Sequence, residues 1–253
     1  MLHDFNLYNG SLQEINSSKM LITTLNAHSY NTLKNDNLFK EALQSSDILL
    51  PDGISVVLAA RFLKGIRLKK IAGDDLFRFE MQRIHKSKGK CFFLGSSENT
   101  LHLIRERAEK EYPELKINCY PPPYKSEFNE NENQAMINAI NEFEPDVLFI
   151  GMSAPKQEKW AYKNFEHLKV GHICCIGAVF DFYAGTIKRA PRWMIKLGLE
   201  WFYRLLKEPR RLWRRYLVGN FLFVSNIIKE KYSISHQKNQ LNDLNTDDIF
   251  IKN

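Results

Sequence analysis

Short apolar runs typical of β-strands alternate with longer segments of helical spacing over the first three-quarters of the chain. Parallel strands need a long crossover between them, and these intervening helices supply it. The alternation therefore predicts an α/β fold: a Rossmann-like, mostly parallel sheet flanked by helices. The expected strands are 20–25, 47–50, 91–94, 116–120, 147–150 and 172–179, and the expected helices are 29–44, 54–63, 75–85, 100–111, 132–143 and 156–167. The apolar helix 54–63 is expected to be buried.

The alternation stops near Gly185, and a basic, aromatic segment follows. From Gly185 to Lys231 there are twelve Lys or Arg and three Asp or Glu, or +9, whereas the whole chain carries only +7. Pro209 divides this segment and suits the first turn of a helix. After Tyr232 the composition turns to Ser, Asn, Gln and Asp, which is typical of disorder. We predict an α/β core over 1–185 that carries the site, a basic helical appendage over 186–231, and a disordered tail over 232–253.

Several functional classes lack their signatures here. GxGxxG after the first strand and GxxxxGK[ST] are both absent, which disfavours a dinucleotide oxidoreductase and a P-loop enzyme. GxSxG and HExxH are absent as well. No cysteine has CxxC or Cys/His spacing, so we expect reduced thiols in a cytoplasmic protein rather than a metal site. The four cysteines are Cys91, Cys119, Cys174 and Cys175.

The charge of the appendage implies an anionic partner: nucleic acid, phospholipid or a phosphorylated substrate. No apolar run near it is long enough to span a bilayer, and the N-terminal MLHDFNLYNG does not resemble a secretion signal. Cations interleaved with aromatic rings suit an interface where phosphate lies beside hydrocarbon, so we expect peripheral docking on an anionic membrane. Helical spacing after Pro209 places Leu212, Trp213, Tyr216, Leu217, Phe221 and Val224 on one side and Arg210, Arg211, Arg214 and Arg215 largely on the other.

Polar side chains follow the first two expected strands, where a parallel sheet forms its sites. Thr24 and Asn26 come at the end of the first strand, where they suit either a ligand's polar edge or the N-cap of a helix. Asp52 lies between Pro51 and Gly53 after the second strand. It suits a plain turn, a helix cap, or a general base directed into a cleft.

Further candidates come from three later segments. Lys70 precedes adjacent aspartates at 74–75, which lack D-x-D spacing and suit helix capping better than a metal; Lys70 itself suits a phosphate contact. Lys156 and Gln157 open a helix after a strand that ends in Gly and small residues, and a cation in a first turn opposes the helix dipole, which favours anion binding. Asp181, in GAVFDFYAG, lies in an expected bent strand edge and suits either a sugar contact or a pair with Lys188 or Arg189.

The ordered series TLNAHS, LPDGISVV, IAGDDL, FFLGS, PDVLFIGMSAPKQEKW, GAVFDFYAG and KRAPRWM…GLEWFYRLLKEPRRLWRRY resembles the WecG/TagA/CpsF glycosyltransferases over about residues 20–220. The resemblance implies an inverting, metal-independent hexosyltransferase without a cofactor, acting in bacterial surface polysaccharide biosynthesis. It would move a sugar, N-acetylmannosamine-type in the best-known members, from a UDP-sugar to a sugar on an undecaprenyl diphosphate carrier.

The resemblance also implies roles for individual residues. The family's proposed base matches Asp52, its polar strand-end pair Thr24 and Asn26, and its cleft glutamine Gln157. Its arginines for the lipid diphosphate match Arg204, Arg211 and Arg214. Where the family often has Arg, this chain has Lys70, which keeps the charge but loses the bidentate fork.

The implied location is cytoplasmic, on the inner face of the plasma membrane. The implied partners are the donor, the lipid-linked acceptor and anionic lipid, and the chain could also form a homo-oligomer. Two other classes stay as alternatives. One is a nucleic-acid-binding protein that uses the Arg/Trp segment as a stacking platform; the separation of aromatics from arginines speaks against it. The other is a non-catalytic module that binds nucleotide sugars.

Overall fold

A computed structural model of the chain describes the backbone of residues 2–15 and 18–250 and the side chains of these ranges up to residue 236. Its centre is a six-stranded sheet in the order β2-β1-β6-β5-β3-β4, in which every pairing is parallel. The expected α/β fold is confirmed. The strands are β1 (Met20–Leu25), β2 (Ile48–Pro51), β3 (Lys90–Gly95), β4 (Lys116–Tyr120), β5 (Val147–Gly151) and β6 (His172–Cys175).

Helices cover both faces of the sheet, so the central strands are apolar on both sides. On β3, for example, Phe93 packs into one apolar cluster and Phe92 into another. The core helices are α1 (Ala27–Leu33), α2 (Asn37–Gln44), α3 (Ile54–Lys64), α4 (Gly73–Lys86), α5 (Glu98–Glu111), α6 (Glu130–Phe143), α7 (Lys156–Asn164) and α8 (Val179–Ala184).

Two sequence expectations about elements were wrong. The single helix expected over 29–44 is two helices, because the Asp36 side chain accepts a hydrogen bond from the Phe39 N–H at 3.0 Å and begins α2 there. The strand expected over 172–179 ends at Cys175. Gly177, with a φ of +54°, turns the chain into α8, so the segment of Asp181 is a short helix rather than a bent strand edge.

Helix α3 is buried on one side only, which corrects the expectation of a buried helix. Val56, Ala59 and Leu63 lie in the core. The opposite side exposes three large apolar side chains at helical spacing: Ile54 is 43% exposed, Leu58 is 56% exposed and Phe62 is 51% exposed. These three side chains form an apolar stripe on the surface of α3.

The appendage is a chain of helices: α9 (Arg192–Lys196), α10 (Glu200–Lys207), α11 (Pro209–Trp213), a π-helical turn (Arg214–Val218) and α12 (Gly219–Phe250). Helix α12 packs onto the core. Phe223 and Ile227 lie in the apolar cluster that surrounds Tyr30, and the Glu230 carboxylate accepts a 2.7 Å hydrogen bond from the Tyr30 hydroxyl. In the described residues, no helix is both long and apolar enough to cross a bilayer.

The predicted boundaries at 185 and 231 stay predictions, as does the disorder predicted after Tyr232. The backbone of α12 is helical to Phe250, the side chains of 237–250 are outside the described part of the chain, and so are residues 251–253 altogether.

Candidate active site

A cleft of about 390 Å³ opens at the carboxyl edge of the sheet, where α/β proteins of this class form their sites. One wall consists of the residues that follow β1, β2, β5 and β6. The other wall is supplied by α8 and by the appendage. Eight of the ten candidate side chains line it: Thr24, Asn26, Asp52, Lys70, Gln157, Asp181, Arg204 and Arg211. The other two, Lys156 and Arg214, lie elsewhere.

Asp52 follows β2 and is partly buried in the wall of the cleft. The N-cap of α3 is Gly53, whose φ is +111°, and no side-chain hydrogen bond caps this helix. The Asp52 carboxylate is therefore not used as a helix cap. Burial and the nearby Glu200 raise the pKa of Asp52 to about 6, against the opposing effects of Lys70 and Asn26. A carboxylate that titrates close to neutral pH is suited to general base catalysis.

Asn26 serves both of the roles considered for it. Its Oδ1 accepts a hydrogen bond from the Ser29 N–H at 3.0 Å and thereby caps α1. Its side chain also lies close enough to Asp52 to lower the pKa of that carboxyl group, which favours the ionised carboxylate. Thr24, only 8% exposed, lies two residues earlier on the same strand end. Asn26 therefore connects a helix terminus to the candidate base.

A line of ion pairs joins the core to the appendage beside Asp52. Arg78 donates to Asp74 at 2.9 Å, Asp74 pairs with Arg189, and Arg189 donates to Glu200 at 3.0 Å. One expectation from the sequence was a pair between Arg189 and Asp181. In the structure Arg189 pairs with Asp74 instead. Asp75 caps α4 by accepting a 2.8 Å hydrogen bond from the Ala72 N–H, as the sequence had favoured.

Four arginines of the appendage line the cleft: Arg189, which is paired with Asp74 and Glu200, and Arg204, Arg211 and Arg215. The Nε atoms of Arg204 and Arg215 are buried and have no hydrogen-bond partner among the described residues. Burial, together with Arg204 and Arg211, lowers the pKa of Arg215. Buried guanidinium donors that repel one another are stabilised by an anion, so this wall is suited to a phosphate or diphosphate.

Arg214 does not line this wall of the cleft, although the family resemblance implied that it contacts the lipid diphosphate. Its side chain is exposed, with the guanidinium 5.4 Å from the centroid of the Trp213 ring. Arg214 is the first residue of a π-helical turn, Arg214–Val218, whose winding departs from the 3.6-residue period only for the residues after it. Tyr216, expected among the apolar positions, likewise lines the cleft instead.

Asp181 lies on α8, half-buried in the cleft. Burial raises its pKa, and Arg204 and Arg211 oppose that shift. Helix α8 reaches this position because Gly151, at the end of β5, has no side chain. A Cβ there would stand 2.3 Å from the Phe180 ring.

Gln157 and Lys156 are neighbours that point in different directions. Gln157 is 3% exposed and lines the cleft. Lys156 lies 3.7 Å from the centroid of the Phe128 ring and donates to the Lys125 carbonyl. Lys156 therefore does not line the cleft in this arrangement, and its contact with an anion stays a prediction. Glu158, which the sequence did not single out, is buried beside Gln157 in the cleft floor.

Other cleft residues were missed because their roles depend on distant partners. Arg189 and Glu200 are eleven positions apart and meet only through the α9–α10 turn. Burial and Arg215 lower the pKa of His28 to about 4, so that ring is neutral at pH 7. The sequence signal that pointed to these residues was the density of Arg in 188–215, which indicated a basic wall of the cleft but not which residues form it. Within the described residues no three His, Cys, Asp or Glu side chains form a cluster suited to a metal ion.

Comparison with known proteins gives a consistent set of relatives. Residues 6–237 match the family described as "Glycosyl transferase WecG/TagA/CpsF family". An N-acetylglucosaminyldiphosphoundecaprenol N-acetyl-beta-D-mannosaminyltransferase of Bacillus subtilis (strain 168) is 33% identical over 198 residues, or 78% of this chain and 75% of the relative. Proteins of the same name from Bacillus spizizenii (33% over 180 residues; 71% and 67%) and Staphylococcus aureus strain MW2 (26% over 222 residues; 88% and 85%) also match.

Proposed function

Because the chain belongs to the WecG/TagA/CpsF family of glycosyltransferases, we propose that it transfers an N-acetylmannosamine-type sugar from a UDP-sugar to a sugar carried on a polyprenyl diphosphate. The names of the relatives support both substrates, since each is an N-acetylmannosaminyltransferase that acts on N-acetylglucosaminyldiphosphoundecaprenol. The observation that carries the proposal is the pairing, within one cleft, of a carboxylate of raised pKa with buried, unpaired arginine donors.

Asp52 is the base of the proposed reaction. It takes the proton of the acceptor hydroxyl as that oxygen attacks the anomeric carbon of the donor, and the bond from that carbon to the UDP oxygen breaks on the opposite side. The configuration of the sugar is thereby inverted. A base of this kind contributes on the order of 10²–10⁴-fold to the rate. Asn26 orients the carboxylate, and Glu200 keeps its proton affinity high enough to accept the proton near neutral pH.

The departing UDP and the acceptor's diphosphate both carry negative charge, and cationic side chains line the cleft. Lys70 lies on the core side, close enough to Asp52 to affect its pKa. Arg204, Arg211 and Arg215 lie on the appendage side. We assign the stabilisation of the developing charge to these side chains, since preorganised donors in a cleft act without the cost of reorganisation. The reaction proposed here is metal-independent, with a chelator as its test.

The appendage and α3 together form the proposed membrane contact. Contacts between described residues join them. The α9–α10 turn lies against Ile54, because a Cβ on Gly198 would stand 2.8 Å from the Ile54 side chain, and the Lys231 ammonium lies 5.5 Å from the Phe62 ring. We call docking face the following subset of the exposed apolar side chains of these elements. They are Ile54, Leu58, Phe62, Trp193, Leu197, Leu206, Trp213, Leu217, Phe221, Val224 and Ile228.

Exposed cations accompany the docking face, and each contributes roughly 1 kcal/mol near an anionic leaflet. They are Arg192, Lys196, Lys207, Arg210 and Arg214. Arg214 thus has a place on the membrane side of the appendage rather than in the cleft. In this arrangement the protein lies peripherally on the inner face of the plasma membrane, with its cleft next to the lipid-linked acceptor. Self-association stays open within the proposal.

The decisive assay is UDP release. The purified chain is given UDP-N-acetylmannosamine and a polyprenyl-diphosphate N-acetylglucosamine analogue, with and without EDTA. We expect release that requires both substrates and is unchanged by EDTA. Hydrolysis without transfer, or strict dependence on an added metal, contradicts the proposed mechanism. Binding of a nucleotide sugar without any turnover supports a non-catalytic module instead.

A salt series separates the membrane from nucleic acid as the anionic partner. Vesicles of phosphatidylglycerol, vesicles of phosphatidylcholine and duplex DNA are compared at rising ionic strength. Apolar contact resists salt, whereas purely electrostatic binding to DNA falls steeply with it. Retention on anionic vesicles at a salt concentration that releases DNA is the expected result. Tighter and more salt-resistant binding to DNA supports the alternative class.

A further inference from the structure

The floor of the cleft holds two buried polar atoms without partners. Glu158 is 1% exposed and Gln157 is 3% exposed, and both line the cleft. Glu158 Oε2 and Gln157 Oε1 find no hydrogen-bond partner in the described part of the chain. Buried polar atoms are almost always paired in folded proteins, so unpaired atoms at a cleft surface indicate a missing ligand.

One hydrogen bond fixes how this pair faces the cleft. Gln157 Nε2 donates to Glu158 Oε1 at 2.8 Å. The Gln157 carbonyl oxygen and the second Glu158 oxygen are therefore the atoms left over. Gly177 packs against this amide, since a Cβ on it would stand 3.6 Å from Gln157 Nε2 and 3.7 Å from Gln157 Oε1, which is ordinary contact. The sequence thus places a residue without a side chain directly against the amide.

Among the residues that the structure describes, no cation forms an ion pair with Glu158 that would hold it ionised. On its own helix, Lys159 pairs with Asp36 of α2 at 2.8 Å, and Lys156 lies over the Phe128 ring. On β6, burial and Glu158 both raise the pKa of Cys175. The other titratable groups of the cleft form no described hydrogen bond or ion pair with Glu158; they are His28, Asp52, Lys70, Asp74, Asp181, Arg189, Glu200, Arg204, Arg211, Arg215 and Tyr216.

We propose that Glu158 acts as a neutral carboxylic acid whose O–H, beside the Gln157 carbonyl, recognises an amide or imide edge of the sugar nucleotide. A hydrogen-bond donor next to an acceptor complements the adjacent C=O and N–H of such an edge. The proposal rests on the proposed function, which supplies two sources of this chemistry. These are the acetamido group of the sugar and the imide of uracil. Burial, which raises the pKa of Glu158 to about 7 against the Gln157 hydrogen bond, agrees with a neutral acid.

The test is calorimetric binding of UDP, UDP-N-acetylmannosamine and UDP-mannose to the full chain and to two variants. Glu158→Gln is neutral at every pH and keeps a donor and an acceptor. It should bind UDP-sugars within about threefold of wild type at pH 6. Wild-type affinity should fall about tenfold from pH 6 to pH 8, because the neutral fraction of an acid of pKa 7 falls by that factor. Glu158→Gln should lack this additional fall, and any effect of Asp52 ionisation is common to both proteins.

Glu158→Leu removes the hydrogen-bond donor and shows whether the recognised edge belongs to the acetamido group or to uracil. Loss of the preference for UDP-N-acetylmannosamine over UDP-mannose, with UDP unchanged, assigns the acetamido group. An equal loss of about tenfold for all three ligands assigns the uracil imide. Circular dichroism and the thermal midpoint report on folding, and the retained affinity of Glu158→Gln cannot arise from a misfolded protein.

The inference is overturned if Glu158→Leu binds all three ligands like wild type, if Glu158→Gln is as weak as Glu158→Leu, or if wild-type affinity rises with pH relative to Glu158→Gln. Failure of the proposed function looks different: the wild-type chain then either binds the uridine ligands without turnover, which leaves the inference standing, or binds none of them. In the second case both the function and the inference fall.

Discussion

Glu200, on the C-terminal appendage, acts on Asp52, at the end of the second strand of the core: after burial, its carboxylate is the largest influence that raises the pKa of Asp52 to about 6. Arg189 holds Glu200 in place and ties it to Asp74 on the core helix α4. The proton affinity of the candidate base therefore depends on how the appendage packs, and a change in the appendage should be visible in the pH profile of the reaction.

Glu200→Gln tests this dependence. Only the ionised form of Asp52 accepts a proton, so wild-type kcat/KM should fall as the pH drops through about 6. Removing the Glu200 charge, and freeing Arg189 from it, both favour the ionised carboxylate, so the acidic limb should move to lower pH. The measurement is kcat/KM from pH 4.5 to 8. Arg210→Gln, at an exposed position of the appendage, is the control, and an unmoved limb in Glu200→Gln contradicts the account.

Arg215 and Arg214 form a matched pair of substitutions. Both are arginines of the same turn, but Arg215 lines the cleft with an unpaired Nε, while Arg214 is exposed over Trp213. Hydrogen bonds to charged groups contribute about 1.5–3 kcal/mol, so Arg215→Ala should lower kcat/KM by roughly 10- to 100-fold in a detergent-dispersed assay. Arg214→Ala should change it less than threefold. The reverse order of effects would place the diphosphate on the outer side of the turn.

Glu230 should anchor α12 to the core. It is 9% exposed and accepts hydrogen bonds from the Tyr30 hydroxyl at 2.7 Å and from the His3 N–H at 2.9 Å. Burial opposes the ionised form, but the hydrogen bonds prevail and lower the pKa of Glu230 to about 2. Glu230→Gln should reduce the free energy of unfolding at pH 7 by about 2 kcal/mol, as expected for a charged hydrogen-bonding group.

The same residue gives a prediction for pH. A carboxyl group whose folded pKa is depressed stabilises the fold above its unfolded pKa of 4.5, and that stabilisation is lost as the pH falls towards 2. The difference in urea midpoint between wild type and Glu230→Gln should therefore shrink between pH 5 and pH 3. A difference that stays constant over this range would show that the carboxylate is not the source of the stability.

The docking face predicts which apolar side chains enter the membrane. Leu217 and Phe221 are 53% and 74% exposed, and burial of one such side chain is worth about 1.5–3 kcal/mol. Replacing both by Asp should lower partitioning onto phosphatidylglycerol vesicles at least tenfold in co-sedimentation. Tyr124, fully exposed after β4 at the opposite edge of the sheet from β2, offers the control Tyr124→Asp. Equal losses in both proteins would argue for charge alone.

Much of the fold could be predicted because apolar periodicity and strand-end chemistry are local. The six strands and the cleft at their carboxyl ends follow from runs such as 20–25 and from Asp52 directly after 48–51. The break at Asp36 and the turn at Gly177 were missed, since a cap and a single positive φ override the apolar pattern around them.

The composition of the cleft wall was harder to predict for a physical reason. A helical wheel groups Arg214 with Arg215, but it does not show where the core lies, and only Arg215 lines the cleft. The π-helical turn at 214–218 also changes the winding of the residues that follow Arg214. The network from Arg78 to Glu200 joins groups up to 115 positions apart, as the Arg189–Asp74 pair shows, and no local spacing encodes such contacts.

The central claim, that Asp52 is the base, is tested most directly by single-turnover kinetics and donor binding of Asp52→Asn. Turnover should fall by about 10²–10⁴-fold, while affinity for the UDP-sugar stays within about threefold of wild type. The folded-state pKa of Asp52 lies above its ordinary value of 3.8, so its ionisation destabilises the fold as the pH rises through 6. The thermal midpoint of Asp52→Asn at pH 7.5 should accordingly match or exceed that of wild type. A folded Asp52→Asn protein that transfers sugar at the wild-type rate would contradict the mechanism.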